Sequence, residues 1–458
     1  MPTFDDIIIG TGQAGPSLAA RLSSAGHKVA VIERELFGGT CVNTGCIPTK
    51  TMVASAYAAR MAQRAGEYGV RVDGPVRVDM KAVKTRKDQV SGKSRVGVEK
   101  WLRGLENCTV YQGHARFESP KEVRVGEEVL RGERVFINVG GRAIVPDLQG
   151  VGDVPYLTNS SMMQVDFVPR HLVIVGGSYI GLEFGQMFRR FGSEVTIVEK
   201  GARLIQHEDE DVSAAVKEIL EAEGIGVELA SECIHFRRDG EGVVAGLDCS
   251  EGRREVAGSH VLLAVGRRPN TDDLGLEKAG VETDAQGYIK VNDELQTSVS
   301  GIWALGDCNG HGGFTHTSYN DYEIVAANLL DNAQRRLSDR IRTYALFIDP
   351  PLGRAGMTDA EARKRGSPAL VGQRPMTRVG RAVEKGETQG FMKVTVDGRT
   401  HQILGAAILG TGGDEAIHCV LDVMYARQPY ETLQHAMHIH PTVCELIPTI
   451  LGELKPLE

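Results

Sequence analysis

Residues 5–34 read DDIIIGTGQAGPSLAARLSSAGHKVAVIER, and residues 171–200 read HLVIVGGSYIGLEFGQMFRRFGSEVTIVEK. Each segment predicts a strand, a glycine turn, an amphipathic helix and a second strand that ends in a carboxylate. The spacing is the same in both, because Gly10 to Glu33 and Gly176 to Glu199 each span 23 positions. A βαβ unit of this kind is the fingerprint of a dinucleotide-binding fold, and two copies indicate two such domains.

The first glycine turn, GTGQAG, has a glycine at each position where the fingerprint requires one. Gly10 permits the tight turn, Gly12 lets backbone N–H groups approach a pyrophosphate, and Gly15 lets the helix pack against the strand. The pyrophosphate would lie at the positive end of that helix. Glu33 ends the second strand, where its carboxylate can accept both hydroxyls of an adenosine ribose.

The second glycine turn departs from the pattern at one place. Gly176 and Gly181 correspond to the first and third glycines, but Ser178 stands where the middle glycine is expected. A serine there is tolerated if the dinucleotide lies slightly farther from the backbone, at some cost in affinity.

The residues after the second fingerprint bear on which nicotinamide is used. A carboxylate at Glu199 accepts a hydrogen bond from a ribose 2′-hydroxyl and repels a 2′-phosphate, so we expect NADH to be favoured over NADPH. Lys200 and Arg203 are close by in the sequence and could still accommodate the phosphate.

Two cysteines lie close together in GGTCVNTGCIPTK, residues 38–50, directly after the first fingerprint. Four residues separate Cys41 from Cys46, and Pro48 marks the beginning of a helix. A cysteine at a helix N-terminus has a lowered pKa, which favours reversible disulfide chemistry. A zinc site would need a second Cys or Cys/His pair at ligand spacing, and none is evident, so no metal site is expected.

Composition excludes several other classes of protein. The net charge of −8 argues against a nucleic-acid partner, which would require a basic face. The sequence has no apolar run long enough for a membrane span, and its N-terminus enters a strand almost at once, without a targeting segment. Eight cysteines in 458 residues are too few for a disulfide scaffold. A cytoplasmic location is therefore expected.

The chain resembles the class I pyridine nucleotide-disulfide oxidoreductases, the family of dihydrolipoamide dehydrogenase, glutathione reductase and mercuric reductase. Five separated motifs carry the resemblance, and they are GTGQAG, GGTCVNTGCIPTK, GGSYIGLE, GIWALGDCNG and HIHPTVCE. It spans essentially the whole chain and is nearest to the mercuric-reductase-like branch. It implies that the first fingerprint binds FAD and the second NADH or NADPH.

The resemblance also implies an α/β fold of two Rossmann-like domains and a C-terminal α+β dimerisation domain. We expect the FAD domain to be split, with its first part at 1–150 and its second at 271–340. The NAD(P) domain would occupy 151–270 between them, and the dimerisation domain 341–458.

Several residue roles follow from the resemblance alone. Cys46 matches the thiol that faces the flavin, and Cys41 matches the thiol that exchanges with substrate. Lys50 matches the lysine near flavin N5, and Glu183 matches the acid that pairs with it.

Four further positions match contacts to the two nucleotides. Asp307 in GIWALGDCNG corresponds to the aspartate that binds the ribityl chain of FAD, and Ala115 in GHARF corresponds to a backbone contact to the adenine. Thr40 and Gly266 are the other two positions at which the resemblance implies cofactor binding.

His440 and Glu445 in HPTVCE match the acid–base dyad of the family. Thiol–disulfide exchange needs a base to form thiolate and an acid to protonate the departing thiol, and histidine suits both. The dyad is expected to reach the cysteines of a second subunit, which implies a homodimer. We interpret His438 as supporting structure and Cys444 as a small buried residue rather than a third active-site thiol.

Three functional hypotheses follow. The first is an NAD(P)H-dependent reductase of a small-molecule or protein-bound disulfide, similar to dihydrolipoamide dehydrogenase. The second is a reductase of a metal ion or of a small oxidant such as hypothiocyanous acid, although the heavy-metal domain and vicinal C-terminal cysteines of mercuric reductase are missing. The third, suggested only by Ser178, is a flavin-binding regulator without catalysis.

Overall fold

The structure is a computed structural model that describes residues 1–248 and 254–458. Within these residues the strands form a seven-stranded, a five-stranded and a six-stranded sheet, with a three-stranded sheet attached to the second and a separate two-stranded sheet. Each of the three large sheets is the centre of one unit of the fold. The mixed α/β architecture with an antiparallel C-terminal unit confirms the fold class.

The first unit is built around two strands that are buried along nearly their whole length. Its strands are β1 (Thr3–Ile9), β2 (Val29–Glu33), β3 (Cys108–Gln112), β4 (Ala115–Ser119), β5 (Glu122–Val125), β6 (Glu128–Ile137) and β7 (Gly141–Ala143). Its helices are α1 (Ala14–Ser24), α2 (Gly39–Asn43), α3 (Cys46–Gln63) and α4 (Met80–Arg103).

The second unit repeats this arrangement on a smaller scale. Its strands are β8 (Tyr156–Leu157), β9 (His171–Val175), β10 (Glu194–Val198), β11 (Gly226–Glu228), β12 (His235–Asp239), β13 (Gly242–Gly246), β14 (Glu255–Gly258) and β15 (His260–Leu263). Its helices are α5 (Asn159–Met162), α6 (Tyr179–Phe191) and α7 (Glu210–Ala222).

The chain then returns to the first unit before it forms the third. The returning elements are β16 (Arg267–Pro269), α8 (Leu276–Ala279), β17 (Ile302–Ala304) and α9 (Thr315–Leu330). The third unit contains β18 (Thr343–Leu346), β19 (Leu352–Gly356), α10 (Asp359–Lys364), β20 (Ala369–Pro375), α11 (Gly380–Glu384), β21 (Phe391–Asp397), β22 (Ile403–Leu409), α12 (Gly413–Tyr425), α13 (Glu431–Gln434), α14 (Ile447–Leu451) and β23 (Lys455–Pro456).

Strand order explains why the first unit is discontinuous in sequence. Its sheet runs β3-β2-β1-β6-β5-β4, and β17 joins the carboxyl half of β6 in parallel, pairing Ile302 with Val135. The second sheet runs β11-β10-β9-β15-β8, with all its pairings parallel. Strand β16 pairs with β7 of the first unit although it lies within the 151–270 range expected for the NAD(P) domain, and the domain boundaries stay predictions.

The third unit is a sheet in the order β18-β19-β22-β21-β20-β23, and all its neighbours are antiparallel. Its core lies between the sheet and α12, where Ile417 and Val420 pack among fully buried side chains such as Ile408. Cys419 and Cys444 are half-buried at the border of the same core.

A buried network of charges joins the third unit to the second. Arg354 on β19 is 1% exposed, and its Nη2 lies 2.7 Å from a carboxylate oxygen of Glu208 and 2.7 Å from one of Asp209. Lys393 on β21 is 2% exposed and donates to Asp359 at 2.7 Å. Removing one partner from such a network leaves an uncompensated buried charge, which typically costs about 3–5 kcal/mol.

Candidate active site

The glycine turn of the first fingerprint opens into a cavity of about 2160 Å³. Its wall is made by the loops after β1 and β2, the N-terminal turn of α3, one face of α6 and parts of the third unit that include α12. The predicted site residues at this wall are Gly10, Gly12, Glu33, Thr40, Cys41, Cys46, Lys50, Ala115, Glu183 and Asp307. Among the described residues, the predicted ones that lie away from the wall are Gly15, Gly176, Gly181, Glu199, Gly266, His440 and Glu445.

The first fingerprint requires glycine at two of its three positions for reasons internal to the protein. Gly10 has φ of 102°, and a Cβ there would lie 2.3 Å from the carbonyl oxygen of Asn138. A Cβ on Gly15 would lie 2.4 Å from the Gly10 oxygen, so the helix packs directly on the strand. At Gly12 the nearest atom would be 3.4 Å away, an ordinary contact, and the space that this glycine leaves open belongs to the cavity.

The second fingerprint has the same construction. Gly176 has φ of 116°, and a Cβ on Gly181 would lie 2.0 Å from the Gly176 oxygen. Ser178 is an exposed residue that precedes α6 with φ of −115°, which an ordinary side chain adopts without strain. The serine is therefore compatible with the turn, because the backbone at that position does not require glycine.

Both fingerprint carboxylates accept hydrogen bonds from the glycine turn that precedes them. Glu33 accepts from the backbone N–H of Thr11 at 3.1 Å, and Glu199 accepts from that of Gly177 at 2.6 Å. The other oxygen of Glu199 accepts from the N–H of Gly201 at 2.7 Å and from Nε2 of Gln206 at 3.1 Å. The carboxylates thus fix the turn to the end of the second strand, in addition to any contact with a ribose.

The cysteine pair lies at the end of α3 that faces the cavity. The helix begins at Cys46, two residues before Pro48, so Cys46 is its first residue. The two cysteines are free thiols, and Sγ of Cys46 lies 3.2 Å from Oγ1 of Thr315 in the first turn of α9. Dithiol geometry at a helix N-terminus is what the sequence predicts.

The two thiols differ in acidity. The hydrogen bond from Cys41, together with that from Thr315 and the charge of Lys50, lowers the pKa of Cys46 to about 6, against the opposing effects of burial and Glu183. The same hydrogen bond and burial raise the pKa of Cys41 above its ordinary value. The resting thiolate of the pair is therefore Cys46, and Cys41 needs a base before it can act as a nucleophile.

A lysine–glutamate pair lies beside the thiols. Nζ of Lys50 donates to both carboxylate oxygens of Glu183, at 2.9 and 2.8 Å, and lies 4.5 Å from the centre of the Phe347 ring. The backbone N–H of Phe347 also donates to Glu183 at 3.1 Å. This arrangement connects α3 of the first unit, α6 of the second and the strand β18 region of the third at one point of the cavity wall.

The remaining predicted nucleotide contacts are distributed along the cavity and its border. Burial raises the pKa of the Asp307 carboxyl, which lies 3.8 Å from Nε of Arg267. Arg267 also donates to Oγ1 of Thr40 at 3.3 Å. Ala115 is buried at the start of β4, whereas Gly266 has φ of 119° in the connection between β15 and β16.

The predicted acid–base dyad forms as a hydrogen-bonded pair outside the cavity. Nδ1 of His440 lies 2.8 Å from Oε2 of Glu445, and the histidine side chain is 80% exposed. Its neighbours Met437 and Ile439 are 99% and 80% exposed, so the loop projects from the surface of the subunit. In this chain the dyad is formed but does not meet the thiols.

The sequence reasoning did not identify Thr315, Phe347 or Asn138. Each acts through tertiary contact: Thr315 touches the Cys46 sulfur, and Phe347 holds Glu183. Asn138 donates from Nδ2 to the Gly12 carbonyl at 3.1 Å. Asn138 directly follows β6, Phe347 directly follows β18, and Thr315 begins α9, so position along the chain is the only sequence signal that they carry.

The cavity fits FAD. The N-terminus of α1 and Gly12 supply donors for a pyrophosphate, Glu33 and Ala115 lie at one part of the wall, and Lys50 lies at another beside the thiols. A thiolate next to a dinucleotide pocket is suited to two-electron exchange between sulfur and a bound flavin. The class of protein that these features define is the FAD-dependent disulfide oxidoreductases.

Comparison with known families leads to the same class. The family described as pyridine nucleotide-disulphide oxidoreductase matches residues 4–327, and the dimerisation domain of that family matches residues 343–450. The chain belongs to the pyridine nucleotide-disulphide oxidoreductase family. It is an FAD-dependent enzyme of the disulfide reductase type.

Curated relatives cover nearly the whole chain. The probable pyridine nucleotide-disulfide oxidoreductase RclA of Escherichia coli (strain K12) is 34% identical, over 99% of this chain and 100% of its own. A mercuric reductase of Streptomyces lividans is 32% identical over 97% and 94%, and a dihydrolipoyl dehydrogenase of Haloferax volcanii is 32% identical over 96% and 94%.

A solved structure described as the Cu(II) complex of the HOCl-induced flavoprotein disulfide reductase RclA from Escherichia coli has a TM-score of 0.90 to this chain. It is 34% identical, over 99% of this chain and 100% of that one. Within residues 1–248 and 254–458, no helix has the length and apolar character to cross a membrane. The same residues contain no group of three or more His, Cys, Asp or Glu side chains arranged to hold a metal ion.

Proposed function

We propose that this enzyme is an NADH-preferring reductase of a small-molecule or protein-bound disulfide, similar in action to dihydrolipoamide dehydrogenase. The observation that carries the proposal is the His440–Glu445 pair, hydrogen-bonded at 2.8 Å on an exposed loop. An acid–base dyad serves thiol–disulfide exchange, in which protons move at every step. Reduction of a metal ion has no comparable need for it.

Cys41 and Cys46 have different roles in the reaction because they differ in acidity. Cys41, deprotonated by a base, attacks the substrate disulfide, forms a mixed disulfide and releases one substrate thiol, which takes up a proton. The Cys46 thiolate then attacks the Cys41 sulfur, releases the second substrate thiol and leaves the Cys41–Cys46 disulfide. FAD, when bound, would supply the two-electron chemistry that reduces this disulfide again. Lys50, held by Glu183, favours the thiolate at Cys46.

The base is His440 of the second subunit of a homodimer. Three observations support this: the chain carries the dimerisation domain of its family, the dyad lies outside the cavity of its own subunit, and the loop around it exposes Met437 and Ile439. Apolar side chains exposed to this degree are typical of a surface that another chain covers. Glu445 on the far ring nitrogen fixes the tautomer that presents the other nitrogen to Cys41.

NADH preference rests on Glu199. A 2′-phosphate near this carboxylate would be repelled, and the charges of Lys200 and Arg203 oppose that effect only in part, because Arg203 is paired with Glu210 at 3.2 Å. We expect Glu199→Ala to narrow the ratio of kcat/KM for NADH over NADPH by about tenfold. Arg77→Ala, on an exposed arginine of the first unit, is the matched control. An unchanged ratio in Glu199→Ala would remove the basis for the preference.

The thiol assignment is tested by stopped-flow reduction with NADH. The reduced enzyme should show a long-wavelength band from the Cys46 thiolate beside the flavin, Cys46→Ser should lack it, and Cys41→Ser should keep it. A band that survives in Cys46→Ser contradicts the assignment.

The cytoplasmic location stays a prediction.

A second candidate function is reduction of a metal ion or small inorganic oxidant. It is favoured by the similarity to a mercuric reductase and to a structure described as a Cu(II) complex. A panel of lipoamide, glutathione disulfide, Cu(II), Hg(II) and hypothiocyanous acid, each with NADH and NADPH, separates the two. Disulfide turnover that depends on His440 supports the first function, and metal turnover that survives His440→Ala but not Cys41→Ser supports the second.

A further inference from the structure

A second pair of cysteines meets in the third unit. Cys419 lies on α12 and Cys444 begins the short 3₁₀ helix Cys444–Leu446, and both thiols are free and half-buried. Sγ of Cys419 lies 3.1 Å from the carbonyl oxygen of Ala416, and Sγ of Cys444 lies 4.0 Å from the same oxygen. The two thiols also form a hydrogen bond with each other, so they are direct neighbours.

Their electrostatics match those of the first pair. The hydrogen bond from Cys419 lowers the pKa of Cys444 to about 7, and burial opposes the effect. The same contact and deeper burial raise the pKa of Cys419. One thiol is therefore thiolate near neutral pH while its neighbour holds a proton, which is the arrangement also found at Cys41 and Cys46.

Two other cysteines show what an ordinary structural thiol looks like in this fold. Burial raises the pKa of Cys108 to about 11 and that of Cys308 to about 12. Cys444 is therefore more readily deprotonated than Cys108 or Cys308.

We propose that Cys419 and Cys444 are a second redox-active dithiol, in which Cys444 reacts with two-electron oxidants of the hydroperoxide class and Cys419 resolves the product to a disulfide. The Cys444 thiolate attacks one peroxide oxygen, becomes a sulfenic acid and releases hydroxide or alkoxide. The Cys419 thiol then displaces the sulfenic oxygen as water and forms the S–S bond. The two thiols lose two electrons, and the peroxide gains them.

The position of the pair couples it to the active site, in a step that rests on the proposed role of the dyad. Helix α12 lines the cavity through Ile417 and His418, next to Cys419. Cys444 directly precedes Glu445, whose carboxylate holds His440. A Cys419–Cys444 disulfide links the helix at the cavity wall to the loop that bears the dyad. Oxidation therefore changes the position of Glu445 relative to His440 and slows thiol–disulfide exchange.

Peptide mapping of the native holoenzyme tests the dithiol itself. The enzyme, with Cys41–Cys46 already oxidised and no nicotinamide present, is treated with hydrogen peroxide, alkylated and digested with trypsin without reductant. Cys419 and Cys444 then lie on separate peptides, 400–427 and 428–458, each with one cysteine. We expect these two peptides to be joined, and Cys108→Ser to behave as the wild type. Sulfinic acid or unmodified thiol on both peptides would overturn the proposal.

Reversibility gives a second readout that does not depend on the first. In the wild-type enzyme the rate of disulfide turnover should fall at least about fivefold after peroxide treatment and recover after dithiothreitol is added. Cys419→Ser has no resolving thiol, so its Cys444 should proceed to sulfinic acid and stay modified after dithiothreitol. Reduction of the flavin by NADH should be unchanged in both. If the two peptides are joined but the enzyme keeps its full disulfide turnover, the coupling to the dyad is overturned. If the enzyme shows no disulfide turnover before any oxidant is added, the proposed function is contradicted instead.

Discussion

Thr315 provides the sharpest test of how the fold sets the acidity of Cys46. Replacing it by valine removes the hydroxyl that lies 3.2 Å from the sulfur and keeps the shape of the side chain. A hydrogen bond to a charged group contributes about 1.5–3 kcal/mol, and one pKa unit corresponds to about 1.4 kcal/mol. The pKa of Cys46, about 6 in the intact site, should therefore rise by about one to two units in Thr315→Val.

The measurement is the rate at which iodoacetamide alkylates Cys46 as a function of pH, followed on the tryptic peptide 35–50. It is made in a Cys41→Ser background, so that Cys46 is the one thiol on that peptide and a hydroxyl donor remains. Only thiolate reacts, so the midpoint of the rate profile follows the pKa. The control is Thr315→Ser, which keeps the hydroxyl and should keep the midpoint. Equal midpoints in Thr315→Val and Thr315→Ser would refute the role of the hydroxyl. A midpoint near the ordinary thiol value in the parent enzyme would refute the whole electrostatic account of Cys46.

Three further outcomes are expected. Glu445→Gln should lower disulfide turnover on the order of 10²-fold, because His440 loses the partner that fixes its tautomer, while stopped-flow reduction of the flavin by NADH is unchanged. Gly181→Ala should raise the Kd for NADH at least about tenfold, because its Cβ would lie 2.0 Å from the Gly176 oxygen and displace α6 from the strand. An NADH titration identical to that of the wild type would contradict this. Arg354→Met should destabilise the enzyme by about 3–5 kcal/mol in urea unfolding, and an unchanged midpoint would show that the buried network contributes little.

The fold was predictable from the sequence because its decisive features are local. The glycine turns, their helices and their closing carboxylates lie within single βαβ segments. The equal spacings from Gly10 to Glu33 and from Gly176 to Glu199 identify both segments as the same structural unit. A helix beginning near Pro48 was predicted on the same grounds, and α3 begins two residues earlier, at Cys46.

What the sequence did not predict depends on contacts between distant segments. Thr315 is 269 positions from Cys46, and Glu208 is 146 positions from Arg354, so no local pattern links either pair. The contact between Cys444 and Cys419 has the same origin, because the two cysteines lie on different elements.

The identity of the acceptor was not predictable for a different reason. A thiolate pair with a flavin can reduce disulfides, metal ions and small oxidants alike, and the chemistry of the pair does not distinguish them.

The charges that join Arg354 and Lys393 to Glu208 and Asp209 bear on how this enzyme can be recombined with its relatives. The second and third units contact each other through buried side chains whose opposite charges compensate one another. A chimera that replaces the second unit by that of a relative would bury Arg354 without its two acids and would leave Lys393 with Asp359 of its own unit. Coenzyme specificity should therefore be transplanted either residue by residue or together with the C-terminal domain, and never as a single interchangeable module.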